Sequence, residues 1–330
     1  MYITSLTTAK TMKRNNMVQV FRAIAIIAVV MIHTSPAGYW QVFFKPFINF
    51  PVATFLFLSG YLTRIDNENW GAFFKKRISR VIIPYIIWTL LYTLFMGNLH
   101  RLPANLLTAQ TIAPFYYIFV YIQFVLLTPL MGKLGRSRYR WLGWLVTPLS
   151  MLVFQYPMLA GTRLPYIAQL FWDDSCLGWF TFYYLGLLLG NRIIDNHSSK
   201  STLGLLLIAS IALQMAEGYA WMKLGQPVAC GTQMKLSTVL TNTVLMLIVH
   251  QCLQSRSHER QRPILVALGD YSFGIFLCHI MVLKTLRLIP YYQAIPYPVT
   301  SLIVLLISFA FCYCVTKIGG NHVSKWLGLK

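Results

Sequence analysis

The chain has 330 residues, of which 57% are hydrophobic and only 11% charged, and its mean hydropathy is +0.58. This composition excludes an ordinary soluble domain and indicates a protein embedded in a lipid bilayer. The formal net charge is +20, but the basic residues form no single patch in the sequence, which argues against a nucleic-acid site.

Apolar runs long enough to cross about 30 Å of hydrocarbon, at about 1.5 Å of rise per residue, recur from end to end with short polar gaps between them. We therefore predict an all-α, polytopic membrane protein with about ten transmembrane helices. The predicted spans are 18–38, 43–63, 80–97, 113–132, 141–156, 176–192, 202–221, 236–254, 264–286 and 298–317. Because no stretch remains for a soluble domain, residues 1–330 are predicted to form one membrane-embedded domain with a short basic tail at 1–17.

The lysines and arginines are divided unevenly between the predicted loops. If the N-terminus is cytoplasmic, that side receives the tail with Lys10, Lys13 and Arg14 and the clusters at 64–80 and 133–140, while the other side holds few cations. This asymmetry follows the positive-inside rule and predicts that both termini are cytoplasmic. This orientation, together with attraction to anionic membrane lipids, accounts for most of the positive charge.

The six cysteines show neither a CxxC pair nor the spacing of a metal site, so no metal is predicted. Cys176 and Cys230 fall in or beside predicted external loops. They could form a disulfide in an oxidising compartment or remain free thiols, because the sequence fixes no distance between them.

Arg22 and His33 flank ten apolar or small residues in the first predicted span, RAIAIIAVVMIH. At about 100° per residue, eleven steps return to nearly the same direction, so the two side chains share one helix face, roughly 16 Å apart along the axis. Arg22 could simply reach the lipid headgroups and His33 could be a packing residue. Ionisable groups inside a membrane are costly, however, and the pair therefore favours a function.

The two residues suit the two ends of a long ligand. A permanently charged arginine near one face can hold a phosphate or a carboxylate, and a neutral histidine deeper in the membrane can accept a proton from a hydroxyl. Acetyl-coenzyme A has the required shape, with phosphates at one end, a slender arm and a thioester at the other end.

Several segments, in order along the chain, are similar to those of one family. The first is Arg, ten residues, then His, and the second helix ends in a Phe-rich stretch with Ser-Gly-Tyr. The others follow as a basic stretch leading to Pro-Tyr, an aromatic middle helix and a late helix with Tyr and His. In this chain they read RAIAIIAVVMIH, FLFLSGYL, KKRISRVIIPYIIW, FYYIFVYIQFVLLTPL and YSFGIFLCHI. The chain resembles the integral-membrane acyltransferase type 3 family, which includes O-acetyltransferases of bacterial surface polysaccharides. Gln19 stands where many members carry Asp.

The resemblance implies a multi-pass enzyme of the bacterial inner membrane. It would move an acetyl group from acetyl-CoA to a hydroxyl of a surface polysaccharide or a lipid-linked sugar. His33 would be the general base or a transient acyl carrier. Arg22, Arg77 and Arg80 would hold the donor phosphates, with Lys76 and its neighbour Lys75 as accessory charge. Positive-inside anchoring is the alternative role for this basic cluster.

The remaining candidate residues concern the acceptor. Ser59 and Tyr61 belong to the Ser-Gly-Tyr segment, where small residues also permit close helix packing. His279 either lines a pocket and orients the acceptor or is a packing residue. The predicted external segment at 166–180 places Trp172 beside Asp173 and Asp174. An aromatic surface with carboxylates suits a sugar, although interfacial aromatic belts have the same composition.

Two other functions compete with acyl transfer. Ten helices with an intramembrane Arg and His would also suit a transporter of an amino-acid-like solute, although the first helix lacks the Gly or Pro break of many transport helices. A non-catalytic partner of a polysaccharide synthase would not need the Arg22–His33 pair.

Overall fold

A computed structural model describes residues 15–255 and 262–329. Most of the predicted basic tail, including Lys10, Lys13 and Arg14, lies outside the described residues, as does the terminal Lys330. Every regular element in the described part is helical, which confirms the predicted all-α class.

The structure contains α-helices linked by short turns. In chain order they are α1 Asn16–Thr34, α2 Trp40–Phe44, α3 Pro51–Tyr61, α4 Trp70–Phe95, α5 Leu102–Thr108, α6 Tyr116–Arg136, α7 Leu142–Ser150, α8 Tyr156–Leu159 and α9 Tyr166–Asp173. They continue as α10 Phe180–Gly190, α11 Lys200–Lys223, α12 Pro227–Cys230, α13 Leu236–Gln254, α14 Pro263–Asp270, α15 Ser272–Leu286, α16 Pro290–Gln293 and α17 Val299–Trp326. Short 3₁₀ turns lie at Lys45–Phe47, Leu99–Arg101, Ala113–Phe115 and Leu177–Trp179, and a π-helical turn at Met151–Gln155 continues α7 into α8.

Membrane-spanning helices are somewhat fewer than the ten predicted. By length and composition, eight helical segments of the described residues could cross a membrane, or nine if the bent pair α14 and α15 counts as one span. The predicted span 176–192 is instead the short helix α10, whose residues from Phe180 to Leu189 are all buried. Because α10 is enclosed by other helices, its apolar side chains pack in the protein interior and do not face lipid. A polytopic helical membrane protein is therefore confirmed.

Local signals fix both ends of α1. The side chain of Asn15 caps the first turn by accepting a hydrogen bond of 3.0 Å from the backbone N–H of Met17. At the other end Ser35 is extended, as expected for a residue before a proline, here Pro36. The helix therefore stops at Thr34, several residues before the predicted 38, and His33 lies in its last turn.

The interior is divided into two apolar groups. One is built around α3, α6, α10 and α13, and the other around α1, α4, α15 and α17. Helix α1 joins them, because it packs against α3 on one side and against α14, α15 and α17 on the other.

Small residues allow the helices of the first group to approach closely. A Cβ atom added to Gly60 of α3 would lie 2.2 Å from the carbonyl oxygen of Tyr183, and one added to Gly186 of α10 would lie 2.1 Å from that of Phe57. Close backbone contact through glycine is typical of helices packed in membranes. This is the packing use of the Ser-Gly-Tyr segment that the sequence left open.

Two breaks shape the C-terminal part of the chain. The predicted span 264–286 is bent by 72° between α14 and α15. In α17, Gly320 has a φ of 68°, a left-handed conformation that favours glycine. The chain after Gly320 folds back, so that Leu329 is fully buried and the carbonyl of Leu327 accepts a 3.0 Å hydrogen bond from the indole of Trp88.

The cysteines are free thiols. Cys176 and Cys230 are both buried and unpaired, so the disulfide that the sequence permitted is not formed.

Candidate active site

A cavity of about 830 Å³ lies between the two apolar groups. Side chains from α1, α3, α4, α6, α14, α15 and α17 line it. The charged lining residues lie at one end and the apolar ones form a wall, so the cavity is amphipathic. A long anionic ligand with a slender apolar arm would match this division.

Cations gather at the charged end. Arg22, Arg77, Arg80 and Lys325 all line the cavity, together with the single carboxylate of Asp270. Arg77 donates a long hydrogen bond of 3.5 Å to the hydroxyl of Tyr121, which also lines the cavity. Arginine forks of this kind match the geometry of phosphate oxygens.

The cations come together because of where their helices begin. Asn69 caps α4 by accepting a 2.9 Å hydrogen bond from the backbone N–H of Ala72, so α4 starts well before the predicted 80. Arg77 and Arg80 are therefore one turn apart on a formed helix and share a face. Arg22 lies near the start of α1, within electrostatic range of Arg77 and Asp270.

The apolar wall leads toward two histidines. Val29, Phe55 and Phe276 line the cavity. His33 follows Val29 by one turn of α1, and His279 follows Phe276 by one turn of α15, so both lie beyond the apolar wall. Their ring centroids are 5.3 Å apart. Arg22 therefore lines the cavity. His33, which the sequence predicted to lie on the same helix face, lies one turn beyond the apolar wall, next to the imidazole of His279.

A buried lysine also lies near His33. Lys45 is only 7% exposed, and its ammonium is 3.5 Å from the carbonyl oxygen of Ile32 in the last turn of α1, which also accepts a 2.8 Å hydrogen bond from the hydroxyl of Ser35. It is within electrostatic range of His33. A cation so close disfavours a second positive charge on the imidazole.

A second pocket, of about 460 Å³, is lined mainly by residues of the loop before α6, of the end of α9 and of the loop before α13. It brings together all three predicted external residues, Trp172, Asp173 and Asp174, with Tyr116 and Trp179. The rings of Tyr116 and Trp179 are stacked, with centroids 6.3 Å apart. This pocket therefore offers aromatic surfaces and carboxylates together.

Hydrogen bonds with Gln155 and Gln123 fix the positions of residues that line the second pocket. The indole of Trp172 donates a 2.6 Å bond to Gln155. Gln123 of α6 donates to the backbone carbonyl of Asp174 at 2.6 Å and accepts from the backbone N–H of Cys176 at 3.0 Å. Burial, together with the neighbouring charge of Asp173, raises the pKa of Asp174 to about 6.

Only some of the predicted site residues line the cavity between the two apolar groups. Ser59 is buried and lines the cavity. Tyr61 lies outside the lining: it stacks on Phe57 and its hydroxyl accepts a 3.4 Å hydrogen bond from Gln254. Lys76 and Lys75 are exposed on α4 and are not part of the lining either.

Lys325 and Trp326 are cavity residues that sequence reasoning missed. They reach the cavity because the chain turns back at Gly320, and Trp326 stays 61% exposed beside the charged end. The adjacent Gly319 and Gly320 were the sequence signal for this turn. Among the described residues, no group of three or more His, Cys, Asp or Glu side chains is arranged to hold a metal ion.

Comparison with known families assigns the chain. The model of a family described as an acyltransferase domain, acyltransferase type 3, matches residues 15–317. The chain belongs to this family. It is therefore a membrane acyltransferase, and the match covers both pockets apart from the C-terminal residues Lys325, Trp326 and Gly328. No curated protein and no solved structure matches this acyltransferase.

Proposed function

We propose that this acyltransferase takes an acetyl group from acetyl-CoA and passes it to a sugar hydroxyl of a cell-envelope glycan or its lipid-linked precursor. It would do so in the inner membrane of a bacterium. The observation that carries the proposal is a cavity with Arg22, Arg77 and Arg80 at one end and an apolar wall, formed in part by Val29, one helical turn before His33.

The cavity suits the donor in size and polarity. Its volume of about 830 Å³ falls within the range of pockets for small molecules and cofactors. The arginines and Lys325 would pair with the phosphates, and the exposed indole of Trp326 provides a face for a nucleotide base. The apolar wall formed by Val29 and Phe55 suits the pantetheine arm. It holds the donor without charges that compete at the thioester.

His33 provides the chemistry at the far end. A neutral imidazole takes the proton of the acceptor hydroxyl as its oxygen attacks the thioester carbonyl, and then returns it to the departing thiolate. A transient acyl group on His33 would achieve the same transfer in two steps. Burial disfavours a charge on this imidazole, and the nearby cation of Lys45 adds to that effect, which supports either route.

The second pocket is the proposed acceptor site. The ring faces of Tyr116, Trp172 and Trp179 can stack against the C–H face of a sugar, and the carboxylates of Asp173 and Asp174 can accept hydrogen bonds from its hydroxyls. The residues sit in segments predicted to face away from the cytoplasm, which is where an envelope glycan would be.

The direct test is transfer from radiolabelled acetyl-CoA in membranes that contain the wild type, His33→Ala or Arg22→Ala, with membrane insertion checked for each. We expect label in a glycan or lipid-linked sugar with the wild type, and a loss of about a hundredfold or more with His33→Ala. If no label is transferred and both variants abolish uptake of a small solute, the chain is a transporter. If both variants keep full activity, the Arg22–His33 pair has no catalytic role.

Neighbouring residues on α4 supply a matched pair for the donor end. Arg77→Gln removes a cation from the cavity, and its KM for acetyl-CoA is expected to rise about tenfold or more with little change in kcat. Lys76→Gln removes an exposed charge outside the lining and should change KM by less than about twofold. Equal effects of the two substitutions would mean that general surface charge, and not the cavity, attracts the donor.

A further inference from the structure

The tautomer of His279 is fixed by its own helix. His279 is fully buried, and its Nδ1 lies 3.0 Å from the carbonyl oxygen of Ile275 and 2.8 Å from that of Phe276. Carbonyl oxygens only accept hydrogen bonds, so Nδ1 must carry a proton. A neutral imidazole has one ring proton, which leaves Nε2 as an unprotonated acceptor.

The free acceptor of His279 has no partner within the part of the chain that the structure describes. Nε2 is buried and makes no hydrogen bond there. A buried acceptor without a partner destabilises the fold, and in native proteins such atoms are nearly always matched by a donor. The ring of His33 is next to it, with centroids 5.3 Å apart and planes inclined by 48°. At this separation, rings turned edge to edge are within reach of an N–H···N hydrogen bond.

We infer, on the basis of the proposed acyl transfer, that His279 is the positioning residue of His33: its Nε2 accepts a hydrogen bond from one ring N–H of His33. That bond keeps the other ring nitrogen of His33 unprotonated and directed at the acceptor hydroxyl. His279 therefore determines which ring nitrogen of His33 is basic. The backbone carbonyls of α15 in turn determine the tautomer of His279.

The reaction step balances with this arrangement. The free nitrogen of His33 takes the hydroxyl proton while the hydroxyl oxygen forms a bond to the thioester carbonyl carbon. The C–S bond then breaks, and the coenzyme A sulfur leaves with the proton returned by His33. While His33 is an imidazolium its bond to His279 becomes charge-assisted and stronger. A neutral partner does this without the cost of a permanent carboxylate buried in the membrane.

Two amide substitutions separate the nitrogens of His279. In His279→Asn the amide NH₂ takes the place of Nδ1 and can still donate to the carbonyls of α15, but no acceptor remains at Nε2. In His279→Gln the amide oxygen reaches the place of Nε2 and can accept from His33. We expect His279→Gln to keep kcat within about tenfold of the wild type and His279→Asn to lose about a hundredfold, with the KM for acetyl-CoA unchanged in both.

A purely structural role for His279 predicts the opposite order, because only the asparagine preserves the bonds to Ile275 and Phe276. His250 supplies the matched control. It is a second buried histidine, on α13, outside the lining of both pockets. His250→Asn and His250→Gln should both retain wild-type kcat, and membrane levels are compared for all variants.

The outcomes also separate this inference from the proposed function. If wild type and His250 variants transfer acetyl groups and His279→Asn is as active as His279→Gln or more so, the positioning role is wrong and acyl transfer stands. If the wild type transfers nothing from acetyl-CoA, the proposed function fails and the positioning role fails with it.

Discussion

At the scale of single residues, the carboxylate of Asp174 has the environment that is easiest to test. It lines the second pocket, and burial and Asp173 raise its pKa to about 6. An unfolded chain would titrate the same group near 3.9. Between these two values the folded protein binds more protons than the unfolded one, so its stability falls as the pH rises through this window and the loss is complete above pH 6. The ionised form of Asp174, on which the proposed sugar site depends, is thus held at a cost in stability.

The first prediction follows from this titration. The unfolding temperature of the purified protein in detergent should fall between pH 4.5 and pH 6.5, and Asp174→Asn should flatten that dependence. Asp195→Asn, which changes an exposed carboxylate outside both pockets, is the control and should keep the wild-type slope. An Asp174→Asn slope equal to that of the wild type would show that Asp174 titrates as an ordinary exposed carboxylate.

How far sequence reasoning reached is also clearest at single residues. Helical periodicity alone placed Arg22 and His33 on one face, since both lie on one unbroken helix. The same reasoning could not direct Tyr61 away from the cavity, bury Lys45 beside His33 or bring Lys325 to Arg77, because those positions depend on which helices pack together. Tertiary contacts between residues distant in sequence leave no periodic signal.

At the scale of elements, the contact of α3 with α10 depends on glycines, whose lack of a side chain lets the two backbones touch. Gly186 leaves no room for a Cβ atom, which would lie 2.1 Å from the carbonyl oxygen of Phe57. Through α3 this contact also positions Ser59 and Phe55, which line the cavity. Moving the two helices apart would therefore widen the site as well as weaken the fold.

The second prediction compares two glycines inside helices. Gly186→Ala should lower the free energy of unfolding by about 1–3 kcal/mol, because the backbone of α3 must shift. Gly204→Ala on α11 should be neutral or stabilising by up to about 1 kcal/mol, because nothing lies within 4 Å of the added atom. Unfolding of both variants in mixed detergent and SDS measures the difference. If Gly186→Ala is as stable as Gly204→Ala, the helices are not in direct backbone contact.

Element boundaries show where sequence patterns lose resolution. The span 236–254 agrees with α13 because a lysine and a polar turn flank an uninterrupted run. The span 264–286 reads as one apolar run in the sequence, yet it bends by 72° after Asp270. The bend is a tertiary requirement: a Cβ on Gly269 would lie 2.0 Å from the carbonyl oxygen of Gln19, so α14 is held tightly against α1. Hydropathy does not record such contacts.

At the scale of the whole molecule, the two pockets share no lining residue but adjoin at the start of α6. Tyr116 and Tyr117, consecutive at the start of α6, line one pocket each. Arg22 and His33 are separated by roughly 16 Å along α1. A donor anchored at the cationic end would therefore have to carry its acetyl group about halfway across the roughly 30 Å of hydrocarbon to reach His33. This arrangement matches a cytoplasmic donor with an acceptor on the other side.

The last prediction tests that direction. The positive-inside rule places the C-terminus and the cationic cavity in the cytoplasm, and the turn at Gly225 after α11 on the opposite face. A fluorescent protein that matures only in the cytoplasm should fluoresce when fused after Lys330. Alkaline phosphatase, which is active only outside, should be active when inserted after Gly225, where a Cβ atom added to the glycine would have nothing within 4 Å. Both fusions must retain acetyl transfer to be informative. The reverse pattern would place the cavity of Arg77 and Arg80 on the side of the membrane away from cytoplasmic acetyl-CoA. That result would contradict the proposed direction of transfer.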